Sequence, residues 1–376
     1  MPPAAPRAHL PVPFIIGSGR SGTTLLRLML DCHSQLALPP ETHFIPALAQ
    51  ACQAADDPAE LFCQTLATHP RWPDFHLDAP ALRAAVLALQ PFTLSAALRC
   101  FYRLYAARFD KPRWGDQTPA YAIDAELIVA LFPEAHFIHL IRDGRDVAQS
   151  YQQVWFGPRG LENAASFWVQ RTMAARRAAG LGPYLELRYE RLITQPAATL
   201  QEICAFLDLP WEAALLDYTE HANRRMDELT RNIHAPDGRQ LATAAERQSS
   251  QRLVRQPLDP SRAYNWLRGM SPEDVARVEQ VAGPLLLELG YPLSAAGSAG
   301  LLAGQQALQS QIDQLQAQAA SHTAAHAAHL AEHETRLAHL TRDLAAIHHS
   351  RAWRAIQLYR RLRARLLSRL HRRPPR

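Results

Sequence analysis

The chain has 376 residues, 48% of them hydrophobic and 20% charged, a composition that excludes a disordered or fibrous protein and allows one large domain plus an appendage. No run approaches about 18 consecutive apolar residues, so no membrane-spanning helix is expected. The net charge of +5 comes from the end of the chain: 351–376 holds ten arginines and no acid, which leaves the first 350 residues at −5 and argues against nucleic-acid binding by the body.

The opening MPPAAPRAHL has no basic segment followed by an apolar stretch, so no signal peptide is expected. Phe14, Ile15 and Ile16 then form a short apolar run of β character. Gly17, Gly19 and Gly22 allow close backbone approach, and Thr23 to Met29 has a helical pattern. A strand, a glycine loop and a helix in this order make a phosphate cradle, because the free N–H groups and dipole of the helix face an anion. The ATP-binding pattern G-x-x-x-x-G-K-[ST] is met by Gly17, Gly22 and Thr24, but Thr23 stands where lysine should reach the β- and γ-phosphates. The cation sits earlier, at Arg20.

Ala47 to Tyr105 is helical in pattern and interrupted by prolines. A second apolar run, Phe137 to Ile141, ends in Arg142, with Ser150 eight residues further on. A planar guanidinium there can bind a phosphate bidentately. Equally, Arg142 to Asp146 reads as a charged helix start with local ion pairs, Asp143 favouring the N-terminal dipole. The five cysteines, Cys32, Cys52, Cys63, Cys100 and Cys204, are scattered without C-x-x-C pairs, so free thiols in a reducing compartment are expected, with neither a disulfide framework nor a zinc site. Tyr218 to Tyr264 is polar and arginine-rich, with Arg224, Arg225, Arg231, Arg239 and Arg252.

Arg20-Ser21-Gly22-Thr23-Thr24 resembles the 5′-phosphosulfate loop of sulfotransferases that use 3′-phosphoadenosine 5′-phosphosulfate (PAPS). Arg142 and Ser150 resemble that family's grip on the 3′-phosphate. Collinear with them, Arg113 to Pro119 is similar to a W-G-x-K-T-P element, Leu187 to Leu192 to a V-R-Y-E-D-L strand, Ile203 to Trp211 to a C-x-F-L-G-L-P-W helix end, and Trp266 to Tyr291 to the closing element. On this order of motifs, over roughly residues 11 to 293, the chain is identified as a member of the PAPS-dependent sulfotransferases, its first motif closest to the protein-tyrosine type.

That resemblance implies an α/β fold, a P-loop three-layer sandwich with a central parallel sheet. It implies a reaction in which a hydroxyl of a glycan, glycolipid precursor or protein tyrosine accepts the sulfuryl group, without a metal. Arg20 is implied at the bridging oxygen of the leaving group, Ser21, Gly22, Thr23 and Thr24 at the 5′-phosphate, and Arg142 with Ser150 at the 3′-phosphate. Glu41, in Pro40-Glu41-Thr42-His43, matches the catalytic glutamate of the tyrosine-type G-E-E-T-R segment and is expected as general base, with His43, His136 and His139 as rivals. The helices of 47–105 are expected to shape the acceptor site, and the polar segment before Tyr264 to close over the nucleotide. Gln117 departs from the pattern: lysine is usual there, and loss of a transition-state donor costs about 2.7–4 kcal/mol where measured. Three consequences stay open at this position: a slow enzyme, recruitment of another cation such as Lys111 or Arg113, or an inactive protein. A P-loop kinase or NTPase, or a catalytically silent scaffold, is the alternative.

Beyond residue 295, where the sulfotransferase domain is expected to end, 296–304 is rich in Ala, Ser and Gly and is expected as a linker. A coiled-coil helix is expected over 305–350, since Leu308, Ile312, Leu315 and Ala319, then Leu337, Leu340, Leu344 and Ile347, keep heptad-like spacing, which implies a homodimer. His322, His326, His329 and His333 occur on the same stretch, more simply as a polar helix face than as metal ligands. In 351–376, Trp353, Ile356, Tyr359, Leu362, Leu366 and Leu370 recur at steps of three and four beneath arginines, the pattern of an interfacial helix. A cytoplasmic protein in peripheral contact with the inner membrane face is the resulting expectation.

Overall fold

The computed structural model describes residues 10–370 except 228, 230 and 235–237, and the side chains of 301–305, 307, 308, 313, 348 and 365–370 also lie outside the description. The reading of the N-terminal segment falls almost wholly outside these residues, as do the apolar side chains of Leu308, Leu366 and Leu370 and the tail from 371 to 376. Two compact units divide between Leu301 and Leu302.

The first unit opens with β1 (Val12–Ile16), α1 (Thr23–Leu30) and β2 (Leu36–Ala37). Four helices follow, α2 (Ile45–Gln53), α3 (Pro58–Ala67), α4 (Ala79–Leu87) and α5 (Leu94–Ala107), before β3 (Arg113–Trp114) and β4 (Asp116–Gln117). Next come α6 (Ala125–Leu131), β5 (Ala135–Ile141), α7 (Gly144–Tyr151), α8 (Leu161–Arg177), β6 (Tyr184–Arg188), α9 (Tyr189–Thr194) and α10 (Pro196–Phe206). The last stretch holds α11 (Tyr218–Asp227), a short antiparallel hairpin of β7 (Ile233–His234) and β8 (Gln240–Ala242), then α12 (Ala244–Ser250), α13 (Trp266–Gly269) and α14 (Pro272–Glu288).

The central sheet has the order β4-β1-β5-β6 and every neighbouring pair is parallel. Its register sets Phe14 beside Phe137 on one side and Asp116 on the other. Strands alternate faces, so Phe14, Ile16 and Phe137 enter the core built with α2 to α5, whereas Ile15, Ile138 and Leu140 enter the core built with α1, α9 and α10. Burial on both faces is why these strands read as continuous apolar runs. Helices on the two faces make the expected three-layer α/β arrangement. The carboxyl ends of β1, β4 and β5 lie together, and a crevice at that edge is where open parallel sheets bind ligands.

Two polar networks cross the core. Asp31, at the end of α1, accepts from the Leu38 amide at 2.8 Å and from Arg225 Nε at 2.8 Å, and His221 Nε2 lies 2.7 Å from the same carboxylate. Burial pushes the Asp31 carboxyl up, but Arg225, His221 and Lys111 outweigh it and hold it far below the carboxylate range. Asp116, fully buried on β4, accepts from Tyr102 and Thr42 hydroxyls at 2.8 Å each. Its other oxygen has no hydrogen-bond partner, and burial pushes its carboxyl up to about 6 against the pull of those bonds.

Residues 296–304, expected as a linker and containing the division between the two units, are helical. One helix, α15 (Ala295–His349), starts ahead of them and runs through the histidine-rich stretch. Alanine is the best helix former, and Ser294 closes the first turn by accepting the Gly297 amide at 3.1 Å while its own amide donates to the buried Glu279. Ser350 then breaks the helix and caps the next, α16 (Arg351–Leu370), by accepting the Trp353 amide at 3.1 Å. The heptad residues Ile312, Leu315, Leu337, Leu340, Leu344 and Ile347 are exposed on this single chain. His329 and His333 stack edge to face, and among the described residues no three metal-ligating side chains converge. No described helix is long and apolar enough to cross a membrane.

Asp31→Ala removes the carboxylate of a buried pair and is expected to cost about 3–5 kcal/mol, read as a lower urea midpoint at unchanged slope. Because the fold favours ionised Asp31, its contribution is complete above the unfolded carboxyl range and lost as pH falls through and below it. The variant should lack that acid dependence. Asp116 has the opposite sign: its contribution is complete below about pH 3.8 and lost as pH rises through about 6. Asp116→Asn is therefore expected to gain stability relative to wild type between pH 4 and 7.5, by on the order of 3 kcal/mol at ~1.4 kcal/mol per tenfold, in denaturation series at the two pH values.

Candidate active site

The loop of residues 17–22 turns from β1 into α1. Gly22 has a φ of +90°, and a Cβ there would stand 2.4 Å from the Tyr189 ring. At Gly19 it would meet the Tyr151 hydroxyl at 2.6 Å. Both positions need glycine so that the backbone can press against these rings and aim its N–H groups outward. The first turn of α1 has neither an acidic residue nor a side-chain cap, which leaves its donors for an anion. Ser21 is fully buried within the loop and its hydroxyl has no hydrogen-bond partner.

Arg20 occupies the left-handed region with a φ of +67°. Its Nε donates to the Ser150 hydroxyl at 3.1 Å and its Nη1 to the Ser250 carbonyl at 3.2 Å. Arg142 follows β5 and donates from Nη1 to the Arg20 carbonyl at 3.3 Å, lies 4.7 Å over the Tyr189 ring and faces Asp146 at 3.3 Å. Its buried Nε has no hydrogen-bond partner. Burial, then repulsion by Arg142, push the Arg20 guanidinium below its ordinary range. Cations held so close, with donor capacity to spare, make a receptor for a multiply charged anion. Beside them a pocket continues between Gly22, Thr24, Tyr189, Leu253, Val254 and Arg262. The polar segment before Tyr264 thus does border this pocket, through residues that no motif had singled out. Arg225 of the same segment is instead the buried partner of Asp31.

A second cleft of about 310 Å³ also borders Arg20 and Thr23. Glu41, His43 and Gln117 line one wall, and Tyr151, Trp155, Phe156 and Phe167 line another. Gln117 Nε2 donates to the Thr23 hydroxyl at 3.3 Å and to Glu41 Oε1 at 3.4 Å, so it joins the phosphate loop to the carboxylate. Burial raises the Glu41 carboxyl, but His43, Arg71 and Gln117 overcome it and bring it down to about 2. Arg20, Gly22, Thr23, Thr24 and Arg142 thus line the first pocket and Arg20, Thr23, Thr24, Glu41 and Gln117 the second, while Ser21 is buried within the loop and Ser150 touches Arg20.

The structure removes several other candidates. Lys111 reaches the carbonyls of Asp31 and Leu36, and Arg113 those of Pro11, Leu207 and Asp208, so neither replaces the cation missing at Gln117. His136 packs on Phe206, and buried His139 lies 2.6 Å from the Tyr184 hydroxyl, and neither lines the cleft. Arg71, in the segment between α3 and α4, and Arg171, on α8, do line it and escaped notice because single arginines carry no motif.

The sulfotransferase family matches residues 11–213, more than half of the chain. Protein-tyrosine sulfotransferase of Drosophila melanogaster is 27% identical over 291 residues, 75% of this chain and 52% of that protein. Protein-tyrosine sulfotransferase A of Caenorhabditis elegans is 25% identical, over 75% of this chain and 67% of that protein. The chain thus spans about half the length of the Drosophila relative. The sulfotransferase domain from the curacin biosynthetic pathway superposes with a TM-score of 0.51 at 23% identity, over 76% of this chain and 100% of that domain, which is a likeness of fold. Taken with the motif order and the family match over residues 11–213, these likenesses place the chain in the sulfotransferase family.

Proposed function

We propose that the protein transfers a sulfuryl group from PAPS to the hydroxyl of a ring-bearing acceptor. The observation that carries this reading is the pair Arg20 and Arg142 at one helix N-terminus, with the Ser21 hydroxyl and Arg142 Nε lacking partners within the protein. A nucleotide with a phosphosulfate at one end and a 3′-phosphate at the other suits both cations. PAPS supplies the activated sulfuryl group, carried on a 5′-phosphate leaving group.

The amides of Ser21 to Thr24 would hold the 5′-phosphate. Arg20, preorganised by Ser150 and the Ser250 carbonyl, would meet the charge that develops on the leaving oxygen, usually the largest catalytic contribution. Arg142 would bind the 3′-phosphate together with Ser150, whose oxygen accepts from Arg20 and whose O–H remains to donate. Glu41 stands on the acceptor side, where the attacking hydroxyl loses its proton, and Gln117 contributes a neutral donor. The aromatic wall of Trp155, Phe156 and Phe167 suits a tyrosine ring or a sugar of a glycan or glycolipid, and the relatives named as protein-tyrosine sulfotransferases favour the phenol.

We further propose that α15 pairs with a second copy through its exposed heptad residues and that α16 lies on an anionic membrane surface at the cytoplasmic face. On α16, Ile356, Tyr359 and Leu362 are exposed beside Arg351, Arg354, Arg360 and Arg361, with no acid among them.

Calorimetric titration is expected to show tighter binding of PAP (3′-phosphoadenosine 5′-phosphate) than of AMP. Arg142→Ala should weaken PAP by about 10- to 100-fold, the loss of a charged hydrogen bond, and leave AMP unchanged. Equal affinities for PAP and AMP would overturn the cofactor assignment. Deletion of 351–376 is expected to abolish co-sedimentation with phosphatidylserine vesicles while PAP affinity persists, and binding retained after deletion would refute the role of the tail.

A further inference from the structure

Glu41 is not alone on the acceptor side. Its Oε2 lies 2.7 Å from Nε2 of His43, two residues on, and the two side chains are 29% and 34% exposed. Thr42, between them, is fully buried. This out-in-out order sets Glu41 and His43 on the wall of one cleft. His43 itself has a φ of +57°, a conformation that a side chain other than glycine keeps only where its surroundings over-determine it.

Thr42 does the over-determining. Its amide donates to the Thr118 hydroxyl at 2.9 Å, its own hydroxyl donates to Asp116 at 2.8 Å, and Tyr121 lies 2.8 Å from the same oxygen while accepting the Ile45 amide at 3.1 Å. A buried carboxylate, Thr118 and Tyr121 thus hold a half-buried carboxylate–imidazole contact in place. With its carboxyl brought down to about 2, Glu41 gains little by taking a proton near neutrality. Imidazole is the side chain that ordinarily changes charge between about pH 5 and 8.

We propose that Glu41 and His43 act as one pair, in which His43 takes the proton of the acceptor hydroxyl and Glu41 fixes the tautomer and stabilises the imidazolium. The proposal rests on the sulfuryl-transfer reading above. With Nε2–H donated to Glu41, the lone pair lies on Nδ1. The acceptor O–H bond breaks and its proton passes to Nδ1. The oxygen pair forms the new O–S bond as the bond from sulfur to the 5′-phosphate oxygen breaks, leaving its electron pair on that oxygen beside Arg20. Asp116 and Thr42 are positioning residues.

Other titratable groups face the pair. His69 and Arg71 come from the segment between α3 and α4, Asp116 from β4, Arg20 from the phosphate loop, Tyr151 from α7 and Arg171 from α8. Burial brings His69 down to about 4 and pushes Asp116 up to about 6, so Asp116→Asn is the control that separates its titration from that of the pair.

The test uses the full chain with ¹⁵N-labelled histidine. Nitrogen-correlated NMR at pH 7.5 is expected to show His43 as the Nε2–H tautomer in wild type and to lose that preference in Glu41→Gln. With PAPS and 4-nitrophenol as probe acceptor, wild-type kcat should fall on acidification. His43→Gln should lower kcat about 10²- to 10⁴-fold and remove the acid limb while calorimetry shows PAP affinity unchanged, and Asp116→Asn should keep the limb. An Nδ1–H tautomer in wild type, or a His43→Gln enzyme with wild-type kcat and acid limb, would overturn the pair. Wild-type protein that does not bind PAP at all would overturn the sulfuryl-transfer reading itself, a result visible before any variant is made.

Discussion

Two guanidinium groups, those of Arg20 and Arg142, are held side by side where both burial and mutual repulsion oppose them. The Arg20 carbonyl of the loop accepts from Arg142, and the rest of the domain supplies the other contacts that hold the arrangement. Arg20 is fixed through Ser150 of α7 and the Ser250 carbonyl that ends α12, and Arg142 through Asp146 and the face of Tyr189. These contacts come from segments up to 230 residues apart in sequence. Binding of an anion would relieve the repulsion that remains beside the Arg142–Asp146 pair.

The buried ion pairs elsewhere are what make such a site tolerable. Arg145, fully enclosed, is shared between Asp143 and Glu279 at 2.7 and 2.6 Å and lies under the Trp266 ring, and Glu279 in turn receives Ser294 at the start of α15. Asp31 ties α1 to α11 in the same way. In both clusters the buried charges meet opposite charges from other elements. Gln117 fits this balance. A neutral amide bridges Thr23 and Glu41 there, whereas a lysine at that position would add a cation to a site already crowded by arginines.

The phosphate loop was legible in the sequence because its constraints are local. Glycines at tight approaches, a short apolar strand and a helix that follows at once leave few alternatives, and Arg142 after a second such strand repeats the logic. The helical state of 296–304 escaped the sequence reading for a related reason: glycine and serine weigh against a helix only when nothing caps or anchors it, and Ser294 on Glu279 does both. Lys111 and Arg113 failed as replacement cations because closeness in sequence to Gln117 says nothing about which way a side chain leaves a strand. Their carbonyl partners belong to other elements.

The sequence by itself placed the strand, glycine loop and helix between Phe14 and Met29 and a second apolar run ahead of Arg142, since these follow from periodicity and from glycine chemistry within about ten residues, and the α/β class came with the family resemblance that such motifs carry. It also determined that the arginine-rich end differs in charge from the body. Only the tertiary structure decided that Glu41 faces His43, that Thr42 between them is anchored on a buried Asp116, and that four aromatic side chains share their cleft. The physical reason is that these relations depend on side-chain direction and on contacts between segments some 75 residues apart, and packing of the sheet against two helical layers sets both.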